Sequence, residues 1–370
     1  MYILTGSALQ LGLVGLARAA PYMLLTVVGG AAADVMERRR LLIITQIVQM
    51  LVSGWLIVTV MTGSVSAWTL YAVTFLSGAA QAFDQPARQA MVANVVPAEE
   101  LSSAFTLNTL LRQATAIAGP GIGGLLIGYV GLGWTYGANA ISFVALLAAV
   151  LCMHPVQVVT RGGSNWDKIA GGFRFALAQP LVLTPLLIDF VTRLPGNTRG
   201  LLPIFAEDIY HVGPQGLGWL SAAVAAGAVA GGLALGSVGP LERPLPLMVT
   251  MYALEGLALL ALGLSPSFPL AILILFLMGI ANVGAEVPRI TVVQTLTPDE
   301  LRGRVSALSS VFTQGGPLLG QLSSGLTAAE LGAPVAAILA GGVMAGATIA
   351  FGLTPSLRHA YMRRLLPNNG

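Results

Sequence analysis

A chain of 370 residues with 55% hydrophobic and only 9% charged residues cannot clothe a water-soluble fold, where charged residues make up about 25%. Its mean hydropathy of +0.81 requires that lipid solvate the outer surface, and its 45 glycines fit helices that approach closely within a membrane. The single cysteine, Cys152, excludes disulfides, CxxC redox motifs and thiolate metal clusters. The histidines His154, His211 and His359 are too scattered for a metal site, and the cations are not interleaved with aromatics on a polar face, which excludes nucleic acid as a partner.

Eleven apolar stretches of about 20 residues or more, the length that crosses a bilayer, follow one another along the chain. They lie near 9–33, 41–62, 68–91, 104–128, 134–153, 180–206, 217–238, 246–265, 269–294, 305–328 and 333–353. They predict an all-α membrane protein, because a helix satisfies its own backbone in lipid. Between the first two stands Arg38-Arg39-Arg40. When the loops are numbered alternately from there, that side also receives Arg161, Lys168, Arg174, Arg243, Arg302, Arg304, Arg358, Arg363 and Arg364. The remaining cations, Arg18, Arg88, Arg112, Arg193, Arg199 and Arg289, fall within spans and none in an opposite loop. The positive-inside rule makes the arginine-rich side cytoplasmic and places the C-terminus there.

The chain repeats itself. Gly12 and Gly30 recur as Gly218 and Gly236, and Gly78, Arg88 and Pro97 as Gly279, Arg289 and Pro298. The loops Pro97-Ala98-Glu99-Glu100-Leu101 and Pro298-Asp299-Glu300-Leu301 match as well. Two halves in the same orientation form a parallel repeat about an axis along the membrane normal. The layout expected is an N-terminal bundle at 1–153, a linker at 154–179, a C-terminal bundle at 180–353 and a cytoplasmic tail at 354–370. Within the linker, Ile169, Phe173, Ala176 and Leu177 share one helical face, as in a helix lying on the membrane surface; a plain linker is the alternative. The second half opens with span 180–206 before Gly218, whereas only residues 1–9 precede the Gly12 span. Twelve spans are thus expected and eleven found. A first helix lost to a mis-called start or a truncated gene is the expectation, with a genuine eleven-span protein as the alternative.

Gly30, Asp34, Arg38 and Arg39 resemble the Gly-x-Leu-Ala-Asp-Arg-x-Gly-Arg-Arg loop of the major facilitator superfamily. Ala32, Val35 and Glu37 depart from it, and the second copy at 236–244 is degraded. Leu4-Thr5-Gly6-Ser7, Phe83-Asp84-Gln85-Pro86-Ala87-Arg88 and Val96-Pro97-Ala98-Glu99-Glu100-Leu101 resemble the enterobactin-exporter group within it. The resemblance implies two pseudo-symmetric bundles, a monomer in the bacterial inner membrane, and export driven by protons. Gly119-Pro120-Gly121-Ile122-Gly123-Gly124 resembles the family's antiporter motif, in which proline bends the helix and glycines let a neighbour pack; ordinary small-residue packing is the alternative. The family's proton-coupling arginine has Thr74 in its place.

Three acid–arginine pairs stand near helix ends: Asp34 with Arg38, Asp84 with Arg88 and, repeat-related to the latter, Glu286 with Arg289. They read as a cytoplasmic gate whose pairs exchange as the halves rock, or else as static helix-end pairing. Ionisable residues inside spans are costly and face a cavity or a partner; Arg18, Arg112, Asp189, Arg193 and Glu255 qualify. Asp189 and Arg193, one turn apart, form a pair in which the acid stays ionised. Arg18 and Arg112 could hold an anionic substrate. Glu255 reads as unpaired, either a proton carrier or a peripheral packing residue. Gln46, Gln49, Gln81, Asn108, Asn139, Asn197, Asn282 and Gln314 are substrate contacts or interhelical hydrogen bonds. No nucleophile–base set, Gly-Lys-Ser/Thr phosphate loop or metal constellation occurs, so no enzyme, ATPase or cofactor is expected. The function expected is proton-coupled export of small amphipathic molecules, siderophores or drug-like compounds; nutrient uptake and a truncated, non-transporting fragment are the alternatives.

Overall fold

A computed structural model describes residues 1–95, 111, 115, 119, 122–124, 126–152, 178–238, 244–297 and 299–353. Among these the chain is helical throughout. A short α1 (Tyr2–Thr5) leads into α2 (Ala8–Val35), α3 (Arg38–Met61), α4 (Ala67–Val95) and α5 (Leu132–Cys152). The second half holds α6 (Pro180–Arg193), α7 (Thr198–Ile204, running on into a wider π turn at Phe205–Ile209), α8 (Gly213–Val238) and α9 (Pro244–Gly263), then α10 (Phe268–Leu296), α11 (Asp299–Leu331) and α12 (Ala333–Leu353). The amphipathic segment expected at 166–178 and most of the span at 104–128 lie outside the described residues.

Local chemistry sets the boundaries. Gly6, at φ +62, ends α1 in a left-handed conformation that residues with a Cβ avoid. The Ser7 hydroxyl then caps α2 by accepting the Gln10 N–H at 3.3 Å. Seven of the described helices are long and apolar enough to cross a membrane. Span 180–206 departs from the sequence expectation, because it is not one helix. It breaks after Arg193, where Leu194-Pro195-Gly196-Asn197 interrupts the backbone ladder. Asn197 repairs the break: its Oδ1 caps α7 through the Arg199 N–H at 2.9 Å, and its Nδ2 donates to the Pro317 carbonyl of α11 at 3.1 Å.

Glycine makes the closest crossings, and the repeat reuses them. A Cβ on Gly78 of α4 would strike the backbone of Arg18 in α2, and one on Gly279 of α10 the backbone of Val224 in α8. These are repeat-related positions closing the same crossing in each bundle. In the second bundle, Gly256 of α9 meets Gly341 and Ala345 of α12 in the same manner. Between bundles, α2 crosses α11, where a Cβ on Gly325 would lie 2.6 Å from Gly12 Cα and 2.7 Å from the Ala8 carbonyl. Gly124 likewise meets Gly218 of α8.

These inter-bundle contacts lie toward the end opposite the Arg38–Arg40 loop, here termed the outer end. There the Gln215 amide also donates to the Gly128 carbonyl at 3.1 Å, and the Tyr2 hydroxyl donates to the Asp208 carboxylate. Burial, together with the Asp208 and Glu207 carboxylates, pushes the Tyr2 phenol up to about 12, so it remains a donor. Large aromatic side chains at helix ends, Trp68 at 81% and Trp134 at 76% exposure, face outward, as the interfacial belts of membrane proteins do.

Gly325→Leu leaves no room for the α2–α11 crossing. In a Cys152→Ser background carrying Gln321→Cys, this change is expected to raise labelling by an impermeant maleimide from the outer side several-fold. An unchanged labelling rate would remove the crossing from the outer seal.

Candidate functional site

Three helices of the second bundle bring ionisable side chains together in its core. α6 contributes Asp189 and Arg193, α9 contributes Tyr252 and Glu255, and α10 contributes Asn282, Glu286 and Arg289. Arg193 Nε donates to Asp189 Oδ1 at 2.8 Å, and its Nη1 to Glu255 Oε1 at 3.3 Å. The Tyr252 hydroxyl donates to the same Asp189 oxygen at 2.8 Å, and Asn282 Nδ2 to Glu255 Oε1 at 3.0 Å. Arg289 Nη2 donates to Glu286 Oε1 at 2.5 Å and Nη1 to Ser309 Oγ of α11 at 3.3 Å. Arg289 Nε stands 3.9 Å from Asp189 Oδ2. Asp189, Glu255 and Arg289 are only 1%, 4% and 2% exposed.

A charge this deeply buried is tolerable only beside its opposite, and each of these has one. The balance is nevertheless uneven, since three carboxyl groups meet two guanidinium groups. Glu255 Oε2 is buried with no hydrogen-bond partner among the described residues, as are Asp189 Oδ2 and Arg289 Nε. A single proton on Glu255 Oε2 would neutralise the cluster and leave Oε1 accepting from Arg193 and Asn282. This corrects the sequence expectation that Glu255 is unpaired: the long Arg193 side chain reaches from α6 to Glu255 while still bound to Asp189.

The first bundle carries a milder version. Asp84 of α4 accepts from Gln46 Nε2 at 2.6 Å, Thr45 Oγ1 at 3.1 Å and Arg88 Nη2 at 2.9 Å. Gln46 and Gln49 of α3 occupy the positions repeat-related to Tyr252 and Glu255. Amides stand where the second bundle has a phenol and a carboxyl, leaving one acid against one arginine. The spare negative charge belongs to the second bundle alone among the described residues.

The other expected site residues are distributed as follows. The pairs Asp84–Arg88 and Glu286–Arg289 form, each inside its own bundle. α2 ends at Val35 and α3 begins at Arg38, so Asp34 and Arg38 lie on different helices, and the Asp34 side chain is outside the described residues. Arg39 does something unforeseen: its Nε and Nη2 donate to the Val150 and Leu151 carbonyls at 3.1 and 2.6 Å. It thereby satisfies carbonyls that the end of α5 leaves open. Among the described residues nothing lies within 4 Å of a Cβ on Gly30, Gly119 or Gly123, whereas Gly124 packs on Gly218. Pro120, Arg112 and Asn108 lie outside the described residues. Arg18 Nη2 donates to Gln81 Oε1 at 2.9 Å, and Asn139 Nδ2 to Ser53 Oγ at 2.9 Å, so both amides bridge helices. Sequence reasoning missed Tyr252, although its three-residue spacing from Glu255 puts both on one helix face.

The chain matches the model of the transmembrane secretion effector family over residues 1–366. It belongs to that family. It is 28% identical over 340 residues to the enterobactin exporter EntS of Shigella boydii serotype 18, a match spanning 92% of this chain and 78% of that protein. The EntS of Escherichia coli O81 aligns to the same extent. Among solved structures, the nucleoside transporter NupG superposes with a TM-score of 0.69 over 94% of this chain and 91% of its own, at 14% identity. A D-xylose–proton symporter reaches 0.71 over 93% and 87%, at 12% identity. This secretion effector therefore has the major facilitator fold: it is a multi-pass membrane transporter, and its relatives are transporters rather than enzymes.

Asp189→Ala would break the buried pair with Arg193 and remove the acceptor of the Tyr252 hydroxyl, leaving Arg193 to Glu255 alone and Arg289 to Glu286 alone. It is expected to destabilise the second bundle by about 3–5 kcal/mol, read as a fall in the unfolding midpoint of the purified protein. Glu255→Gln preserves an acceptor for Arg193 and Asn282, and the same measurement should show a loss of only about 1 kcal/mol.

Proposed function

We propose that this secretion effector is a proton-coupled exporter of small amphipathic molecules, siderophores or drug-like compounds. It works in the bacterial inner membrane as a monomer, by alternating access between its two bundles, with its C-terminus in the cytoplasm. The observation that carries the coupling is the buried cluster around Glu255, which has room for one proton and a net charge that calls for it. An ion–carboxyl cluster in lipid is retained at a stability cost, and its usual occupation is a proton or substrate pathway. Arg193 joins α6 to α9, so protonation of Glu255 would loosen one link of that junction. The adjacent break at 194–197 lets the two parts of the span move separately.

Two observations favour export. The named relatives at 28% identity are enterobactin exporters, and all the inter-bundle glycine contacts described above seal the outer end, a state that would load from the cytoplasm. The pairs Asp84–Arg88 and Glu286–Arg289 serve as gate elements at the inner ends of α4 and α10, with the loop residues Gly30, Asp34, Arg38 and Arg39 beside them. Gly124 of the Gly119-Pro120-Gly121-Ile122-Gly123-Gly124 motif provides the small-residue contact on which Gly218 of α8 closes.

The reading is tested in inside-out vesicles preloaded with a pH gradient, using a panel of siderophores and fluorescent dyes. Gradient-dependent accumulation is expected for the wild type and a fall of roughly tenfold or more for Glu255→Gln, with counterflow exchange retained. Accumulation that ignores the gradient, or a Glu255→Gln protein that is fully gradient-driven, would refute the coupling site.

A further inference from the structure

Two other arginines inside the spans have no acid to balance them among the described residues. Arg18 of α2 and Arg199 of α7 come from opposite bundles, yet Arg199 lies within electrostatic reach of Arg18. Gln321 of α11 ties the two neighbourhoods together. A Cβ on Gly15, one turn before Arg18, would lie 2.8 Å from Gln321 Cβ, and one on Gly200, next to Arg199, 3.2 Å from Gln321 Cγ. Both arginine side chains are exposed rather than packed away. Arg18 is steadied by Gln81 of α4, and its backbone is pinned against Gly78. Tyr22 acts electrostatically on Arg18, and Arg18 and Arg193 act on Arg199, with no carboxylate among them in the described residues. Arg193, by contrast, is already held by Asp189 and Glu255.

Like charges within electrostatic reach of each other in a membrane interior are unfavourable in both hydration and Coulomb energy. The combination is stable when something negative joins them, and no side chain described here does. We propose that Arg18 and Arg199 form an anion site shared by the two bundles, so that the transported molecules present an organic anion such as a carboxylate or phenolate. Guanidinium groups suit such a ligand because their planar donors match its paired oxygens. The site sits below the Gly12–Gly325 crossing, about two turns further into α2, where a ligand is reached from the inner end and covered at the outer one. A bound anion would also draw the bundles together across the cavity, whereas an empty site would push them apart. This deepens the transport reading and rests on it for the ligand's onward movement, although binding itself is measurable without transport.

The experiment is equilibrium binding of radiolabelled benzoate and 1-naphthoate to the full chain in nanodiscs of phosphatidylcholine, with neutral benzamide as competitor. Saturable binding of at least one acid is expected, insensitive to benzamide, and weakened about tenfold or more by Arg18→Gln and by Arg199→Gln. Arg18→Lys and Arg199→Lys, which keep the charge but lose the paired donors, should fall between. The unfolding midpoint of each variant separates lost binding from lost folding, and the benzamide comparison needs no variant at all. Absence of saturable binding of either acid to the wild type, equal competition by benzamide, or undiminished binding in folded Arg199→Gln would overturn the site. Gradient-driven efflux of neutral dyes persisting in a protein that fails these tests would leave the transport reading standing without the anion site. Sound anion binding with no efflux would do the reverse.

Discussion

An ionised side chain inside a bilayer must carry its counter-charge with it, and the second bundle is arranged around that constraint. Asp189 cannot sit at 1% exposure without the guanidinium of Arg193 beside it. Arg193, once there, reaches Glu255, and Glu255 collects Asn282 from the next helix. Three helices are thereby locked in rotation about their own axes, which is something lipid-facing apolar surfaces cannot do for them. The order is not free, because Asp189 and Arg193 each hold a residue of another helix as well as each other. The surplus carboxyl sets this cluster apart from a simple ion pair: three acids share two guanidiniums across three helices.

The opposite kind of contact governs the meeting of the two bundles. There, small residues let backbones touch, as at Gly12 with Gly325 and Gly124 with Gly218, and no ion pair between bundles occurs among the described residues. Small-residue surfaces held by a few hydrogen bonds, Tyr2 to Asp208 and Gln215 to Gly128, are easier to separate than charge clusters inside a bundle are to break. The result is two firm bodies with a weak joint, the mechanical condition for rocking. The Arg39 contacts with the end of α5 belong to the firm part, since they tie the start of α3 into its own bundle.

Several features of this organisation are legible in the residues. Composition excludes a soluble fold, and runs of apolar residues mark the helical spans. The repeat offset predicts that Gly78 and Gly279 do the same work, and both close the same crossing. The site is less legible. Tyr252, Arg199 and the role of Arg39 escape a linear reading, and Glu255 looks solitary because its partners lie 27 and 62 positions away in the chain. The break at 194–197 is the instructive miss: Pro195-Gly196-Asn197 is a turn signal, overruled in the sequence reading by the hydrophobicity on either side of it.

What the sequence by itself determined is that this chain lives in a membrane, that it crosses it as helices, and that it is built from two related halves. Those properties depend on sums over long stretches, which survive ignorance of any single contact. What only the tertiary structure decided is which buried charges meet. Helices that are apolar on every side carry almost no periodic signal of which face turns inward, so the rotation that brings Arg193 to Glu255, or Arg199 toward Arg18, is set by packing between helices distant in the chain.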